Sequence, residues 1–124
     1  MCFETTKNQR AKIATEDIPC WKTVLPKHGG RYMNTFSCVT GVRWFYQPGV
    51  LQPRIRIKKA EASDGNWGIF RGYHSYTSKA CADASNDSDG EYKEIVRSFI
   101  IPKGTRYYHN ANTEEYVSET IIMK

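Results

Sequence analysis

Period two governs this chain: its apolar runs are short, most of them alternate with polar residues, and Gly, Pro, Asn or Asp punctuates them. Such a pattern predicts strands at 18–25 (IPCWKTVL), within 31–37 (RYMNTFS), and at 42–46 (VRWFY), 53–61 (PRIRIKKAE) and 67–73 (WGIFRGY). Further strands are predicted at 94–101 (EIVRSFII), 105–109 (TRYYH) and 115–123 (EYVSETIIM). Helical signals are scarce. The best spans about 78–85, with Thr77 or Ser78 as the N-cap, and residues 1–17 supply either one more turn or a segment that wraps the surface. The fold class expected is α+β, predominantly an antiparallel β-sheet with one or two short helices.

A length of 124 residues suits one domain, 1–124, that hides roughly two-thirds of its unfolded surface. No apolar run approaches the ~20 residues of a membrane-spanning helix, so no membrane partner is expected. The first residues lack the apolar stretch and cleavage site of a secretory leader, which makes a cytoplasmic setting the expectation. Cys2, Cys20, Cys38 and Cys81 form no C-x-x-C pair and have no histidine at ligand spacing. They read as separate thiols, with no metal site, and a nucleophilic role for Cys81 near His74 is the minor alternative.

The formal charge of +5 is unevenly placed. Between Asp17 and Glu61 no acidic residue occurs, while Lys22, Lys27, Arg31, Arg43, Arg54, Arg56, Lys58 and Lys59 all do. The stretch DASNDSDGEYKE is instead acidic, small and polar, and reads as a solvated loop. A cationic region without internal counter-charge attracts anions, so the expected partner is a small anionic, nucleotide-type ligand or a nucleic acid. In RIRIKK, Arg54, Arg56 and Lys58 would share one face of a strand at about 6.6 Å spacing, close to that of backbone phosphates. An edge strand guarded by cations has the same pattern, and nucleic acid is the less favoured partner.

Polar side chains crowd most at GYHSYTSKACADA, residues 72–84. A strand meets a helix start there, whose free amides would accept a phosphate while His74 donates and a tyrosine ring stacks. The candidate ligand-binding set is Tyr73, His74, Ser75, Tyr76, Thr77, Ser78 and Lys79, joined by Lys22, Arg54, Arg56, Arg106 and Tyr108. No residue is assigned as catalytic and no cofactor is expected. A strand running into a capped helix, with His74 bonded to a carbonyl, is the purely structural alternative. In FIIPKGTRYY, Pro102 and Gly104 mark a corner, after which Tyr107 and Tyr108 must point to opposite faces.

Four segments resemble a group of small proteins common in bacteriophages and their bacterial hosts: the Met1-Cys2 start followed by KIATEDIPCWKTVL, the GYHSY element, IPKGTRYY and EYVSETIIM. That group usually has tyrosine where Trp21 stands, and residues 39–68 align only loosely with it. The resemblance implies a phage setting inside a host cell and no established chemistry. FIIPKGTRYY is also similar to the late strand and corner of ADP-ribosyltransferases, which implies an NAD-using enzyme. However, Ser98 stands where those enzymes carry a glutamate, Glu94 lies upstream, and Lys22 replaces the Arg or His of their first strand.

The expected function is thus non-enzymatic capture of a small phosphorylated ligand, such as a host nucleotide immune signal. The alternatives are an ADP-ribosyltransferase-like enzyme using His74 and Glu94 or Glu119, and a module that binds nucleic acid or a host protein. A homo-oligomer is expected, because one small domain has little room to enclose a nucleotide.

Overall fold

A computed structural model describes residues 3–34, 45–84 and 94–124, and these are mainly β. The strands are β1 Phe3–Thr5, β2 Lys12–Ile13, β3 Ile18–Lys27, β4 Arg31–Asn34, β5 Phe45–Tyr46 and β6 Ala60–Glu61. They continue with β7 Trp67–Ile69, β8 Tyr73–Tyr76, β9 Ile95–Ile101, β10 Arg106–Asn110, β11 Glu115–Ser118 and β12 Ile122–Met123. One short helix, α1 Lys79–Ala84, and a 3-10 turn at His28–Gly30 are the helical content described. The antiparallel sheet expected from alternation is present, but so small a helical share makes the fold mainly β.

A nine-stranded sheet runs β12-β9-β3-β8-β11-β10-β2, with β4 beside β3 and β5 beside β4; a second, three-stranded sheet runs β1-β7-β6. β3 is the axis of the large sheet. One of its edges pairs with β9 from Ile18 to Val24, while the other is shared: β8 meets it at Trp21 and β4 takes over from Val24 to Lys27. The sheet therefore forks beside Lys22 and Thr23. Beyond β5 the chain returns to the far edge, where Pro48 bridges Met123 and Leu51 bridges Ile122. This curl encloses a core of Cys20, Val24, Tyr46, Tyr73, Phe99, Ile101, Ile121 and Met123. Tyr46 meets Phe99 edge-on, at 5.0 Å between ring centres, in an arrangement that aromatic quadrupoles favour.

On the opposite face of β10 and β11, Tyr108 and Val117 pack with Phe3, Ile57 and Ile69 into a second core. Residues 3–17, in the segment expected to supply a helical turn or to wrap the surface, hold β1 and β2 and place Phe3 and Ala14 in the interior. β8 and β9 are both antiparallel to β3 and so parallel to each other, and α1 lies in the crossover between them, packed on β3, β8 and β9.

Three of the expected strands are shorter than their alternation implies. In 53–61 only Ala60–Glu61 joins a ladder. Residues 54–58 keep the alternation, with Ile57 buried and Arg54, Arg56 and Lys58 exposed. The Ile55 amide donates to Glu119 O (2.7 Å) and the Ile57 amide to Glu119 Oε2 (3.3 Å), so one residue replaces a partner strand. The run 67–73 breaks at Gly72, whose φ of +135° bends the chain from the small sheet into the large one. A Cβ there would stand 2.7 Å from both Ile57 Cγ2 and Val117 Cγ2, so the position needs glycine on both counts. The run 115–123 breaks between Ser118 and Ile122, where the Thr120 hydroxyl donates to Gln52 O at 2.6 Å.

The N-cap of α1 is Ser78, whose Oγ accepts the Cys81 amide at 3.2 Å; Thr77 instead donates its hydroxyl to Glu114 Oε2. Cys20 and Cys81 are free thiols, and Cys2 and Cys38 lie outside the described residues. So do 42–44 of the VRWFY run and most of the acidic stretch. Among the described residues no helix is long and apolar enough to cross a membrane.

Candidate functional site

Register, rather than sequence proximity, assembles the polar residues of the large sheet. Lys22 pairs with Arg97 on one side, and the Trp21–Tyr76 pairing aligns it with Ser75 on the other; Ser75 pairs with Tyr116, and Tyr116 with His109. Directly paired residues share a face, so Arg97, Lys22, Ser75, Tyr116 and His109 form one row across β9, β3, β8, β11 and β10. Tyr116 has His109 at 5.0 Å and Tyr107 at 5.8 Å between ring centres, making an aromatic end to a row that begins with cations. Among the described strand residues of β3, β8, β9, β10 and β11 that face this way, none is a carboxylate; Glu115 points to the other side with Tyr76.

The fork in the sheet supplies the most unusual member. Lys22 is 2% exposed, and its ammonium donates to His74 O, a carbonyl of β8 near the point where that strand leaves β3. It also sits 5.8 Å from the centre of the Tyr46 ring, and among the described residues no carboxylate pairs with it. Burial pulls this amine down from its ordinary 10.5 to about 8, with the nearby Cys20 thiol opposing the drop. Burial likewise pushes Cys20 up to about 12, against the pull of Ser75 and Lys22, and raises Tyr46 well above the usual phenol range. Among the described residues the Tyr46 hydroxyl has no hydrogen-bond partner. The Ser75 hydroxyl meets no nitrogen or oxygen partner and has the Cys20 thiol as its polar neighbour.

The structure divides the sequence-derived set. Lys22, Tyr73 and Ser75 face the enclosed side, with Tyr73 OH donating to Pro53 O at 2.7 Å. His74 and Tyr76 face the other side by alternation, as do Arg106 and Tyr108 on β10. His74 Nε2 lies 3.0 Å from Phe70 O, an acceptor, so this nitrogen carries the proton. Burial, with Lys22 adding to it, holds His74 down at about 4 despite that bond. Tyr108 is interior, 6.4 Å from the Phe3 ring. Ser78 caps the helix start, Thr77 bonds to Glu114, and Lys79 pairs with Asp83 at 3.9 Å on the helix surface. Arg54 reaches Glu119 at 3.5 Å, and Arg56 is exposed.

Sequence reading missed Arg97, Tyr116 and His109. Their alternation was visible, but the register that aligns them with Lys22 was not. Arg97 donates to Tyr32 OH at 3.1 Å and stacks on that ring at 4.9 Å, which fixes its guanidinium without neutralising it. Glu119, considered as a catalytic carboxylate, is engaged by Arg54 and by the Ile57 amide. No cluster of metal-ligating side chains occurs among the described residues. No family model matches the chain, and neither a curated protein nor a solved structure matches it.

Proposed function

We propose that this chain binds a small phosphorylated, ring-bearing ligand of nucleotide type without turning it over. The observation that carries the reading is the cross-strand row from Arg97 and Lys22 to Tyr116 and His109, on strands whose described residues put no carboxylate on that face. An uncompensated buried ammonium is unfavourable by itself, and an arriving anion offsets that. Two strand spacings, about 10 Å, separate Lys22 from Tyr116, so an anionic group and a ring in one small molecule can reach both. The aromatic end offers a stacking partner and the cationic end charge-assisted hydrogen bonds. Engagement of Glu119 elsewhere speaks for capture rather than catalysis. In the phage setting that the sequence resemblance implies, the ligand would be a host nucleotide signal, sequestered in the host cytoplasm by a homo-oligomer.

Native mass spectrometry of protein taken from its host, followed by titration calorimetry with a nucleotide panel, tests this reading. A bound nucleotide should be recovered unchanged. Arg97→Ala should weaken binding by roughly 10- to 150-fold and Tyr116→Ala by roughly 5- to 150-fold. Affinities no tighter than millimolar for every nucleotide, or binding indifferent to both substitutions, would refute it.

A further inference from the structure

We propose that the cleft between β1 with its following loop and the β10–β11 turn binds a neutral, polyhydroxylated molecule of monosaccharide size. The cleft measures about 360 Å³, at the small end of the roughly 300–1,000 Å³ of small-molecule sites. Glu4, Thr5, Thr6 and Gln9 line one wall, and residues 109–112 line the other. It stands apart from the cross-strand row of the nucleotide reading, of which only His109 borders it.

Hydrogen bonds cross from wall to wall and fix the opening. Gln9 Nε2 donates to His109 O at 2.7 Å, and Asn110 Nδ2 donates to Glu4 O at 2.9 Å. The Thr5 hydroxyl donates to Gln9 Oε1, which sets the orientation of that carboxamide. Lys59, which does not line the cleft, donates its ammonium to Thr6 O (3.1 Å), Lys7 O (2.6 Å) and Gln9 O (2.6 Å) and so clamps the loop. On the facing turn, Asn110 Oδ1 accepts the amides of Asn112 and Thr113. Walls held in this way lose little freedom when a ligand arrives.

The groups that these bonds leave over define the ligand. Among the described residues, the Glu4 carboxylate and the Asn112 carboxamide have no hydrogen-bond partner. The Thr6 hydroxyl accepts the Gln9 amide at 3.1 Å and keeps its own proton to donate. The cleft thus offers an acceptor-only group, a group with two donors and an acceptor, and a hydroxyl donor. Sugar hydroxyls, each donor and acceptor at once, match all three. A phosphate does not, because the lining holds a carboxylate and neither lysine nor arginine. An apolar molecule would meet only Ala111 and the threonine methyls. An amine would pair with one exposed carboxylate, a contact that contributes little in water.

The probes are glucose, galactose, mannose and N-acetylglucosamine, each titrated into isotope-labelled protein and read in amide proton–nitrogen NMR spectra. At least one should move the amides of Thr6, Gln9 and Asn112 saturably, with a Kd of about 10 mM or tighter. Asn112→Ala should weaken that sugar by about 3- to 10-fold, and Glu4→Gln by about tenfold or more, since hydrogen bonds to a charged group are the stronger ones. Both residues are exposed, so the variants should keep the native spectrum away from the cleft. Shifts that are absent or fail to saturate for every sugar, or affinities unchanged in both variants, would overturn the proposal. So would methylamine or spermidine moving these amides where the sugars do not. Sugar binding by protein that takes up no nucleotide would sustain the cleft and refute only the nucleotide reading.

Discussion

Lys22 makes the sharpest test of how this sheet is held together. The amine falls from 10.5 when unfolded to about 8 when folded, a difference equivalent to about 3 kcal/mol. In the pH range between those values the unfolded chain binds the extra proton, so stability rises with pH there. Below about pH 8 both states are protonated and the native state carries the whole burden of the buried charge. Lys22→Met removes that burden but orphans His74 O, a loss of about 1–3 kcal/mol. Variant and native protein should therefore be similar near neutral pH, and the native protein should gain about 3 kcal/mol over the variant as pH climbs past 10. Cys20, Tyr46, Tyr73 and Tyr116 act oppositely, because their raised values let the unfolded chain ionise first, so the native curve alone should rise and then fall. These groups remain in Lys22→Met, and the difference between the two proteins isolates the lysine. Urea titrations in gluconate buffer between about pH 7 and pH 10.5 measure it. A difference constant to within about 0.5 kcal/mol would show that the ammonium is not desolvated in the fold, and the reasoning would fail.

Three further substitutions probe the connections around the site. Gly72→Ala should lose about 3 kcal/mol or more, because its Cβ would meet Ile57 and Val117 at 2.7 Å on a backbone with φ of +135°. Gly104→Ala, with φ of +87° and open space around it, should lose only about 1 kcal/mol, and thermal melts of the pair separate overlap from strain. For His74, held at about 4 in the fold against an ordinary 6.5, stability should decline as pH falls through that interval, since the unfolded chain takes up the proton first. His74→Gln should flatten this limb in acid titrations; an unchanged limb would mean that other groups produce it.

Alternation alone located most strands, because one-sided burial imposes a period of two wherever a sheet covers a core. The failures have a common cause. At 54–58 the alternation is real, since Ile57 is buried between exposed cations, but the amides of Ile55 and Ile57 bond to Glu119 instead of to a neighbouring strand. Period reports burial, whereas a ladder needs a partner backbone, and only the fold reveals the partner. At Glu119–Ile121 the chain changes pairing partner while its residues stay buried, so burial does not mark that break; at Gly72 it changes sheet just after the exposed Phe70 and Arg71.

The candidate site was legible in its residue types and illegible in its grouping. GYHSYTS stands out in the sequence because its polar residues are contiguous, yet contiguity in a strand sends neighbours to opposite faces. Ser75 and Tyr73 went inward, while His74 and Tyr76 went to the other side. The partners that Ser75 does acquire, Lys22 from 53 residues earlier and Tyr116 from 41 later, come from register alone. In the sequence Lys22 is one cation among many in a basic stretch. Its distinction is positional: β8 and β4 part beside it, and its ammonium reaches the His74 carbonyl in the interior with no carboxylate paired to it among the described residues. The same fork that holds the sheet together thus buries the charge on which the nucleotide reading rests.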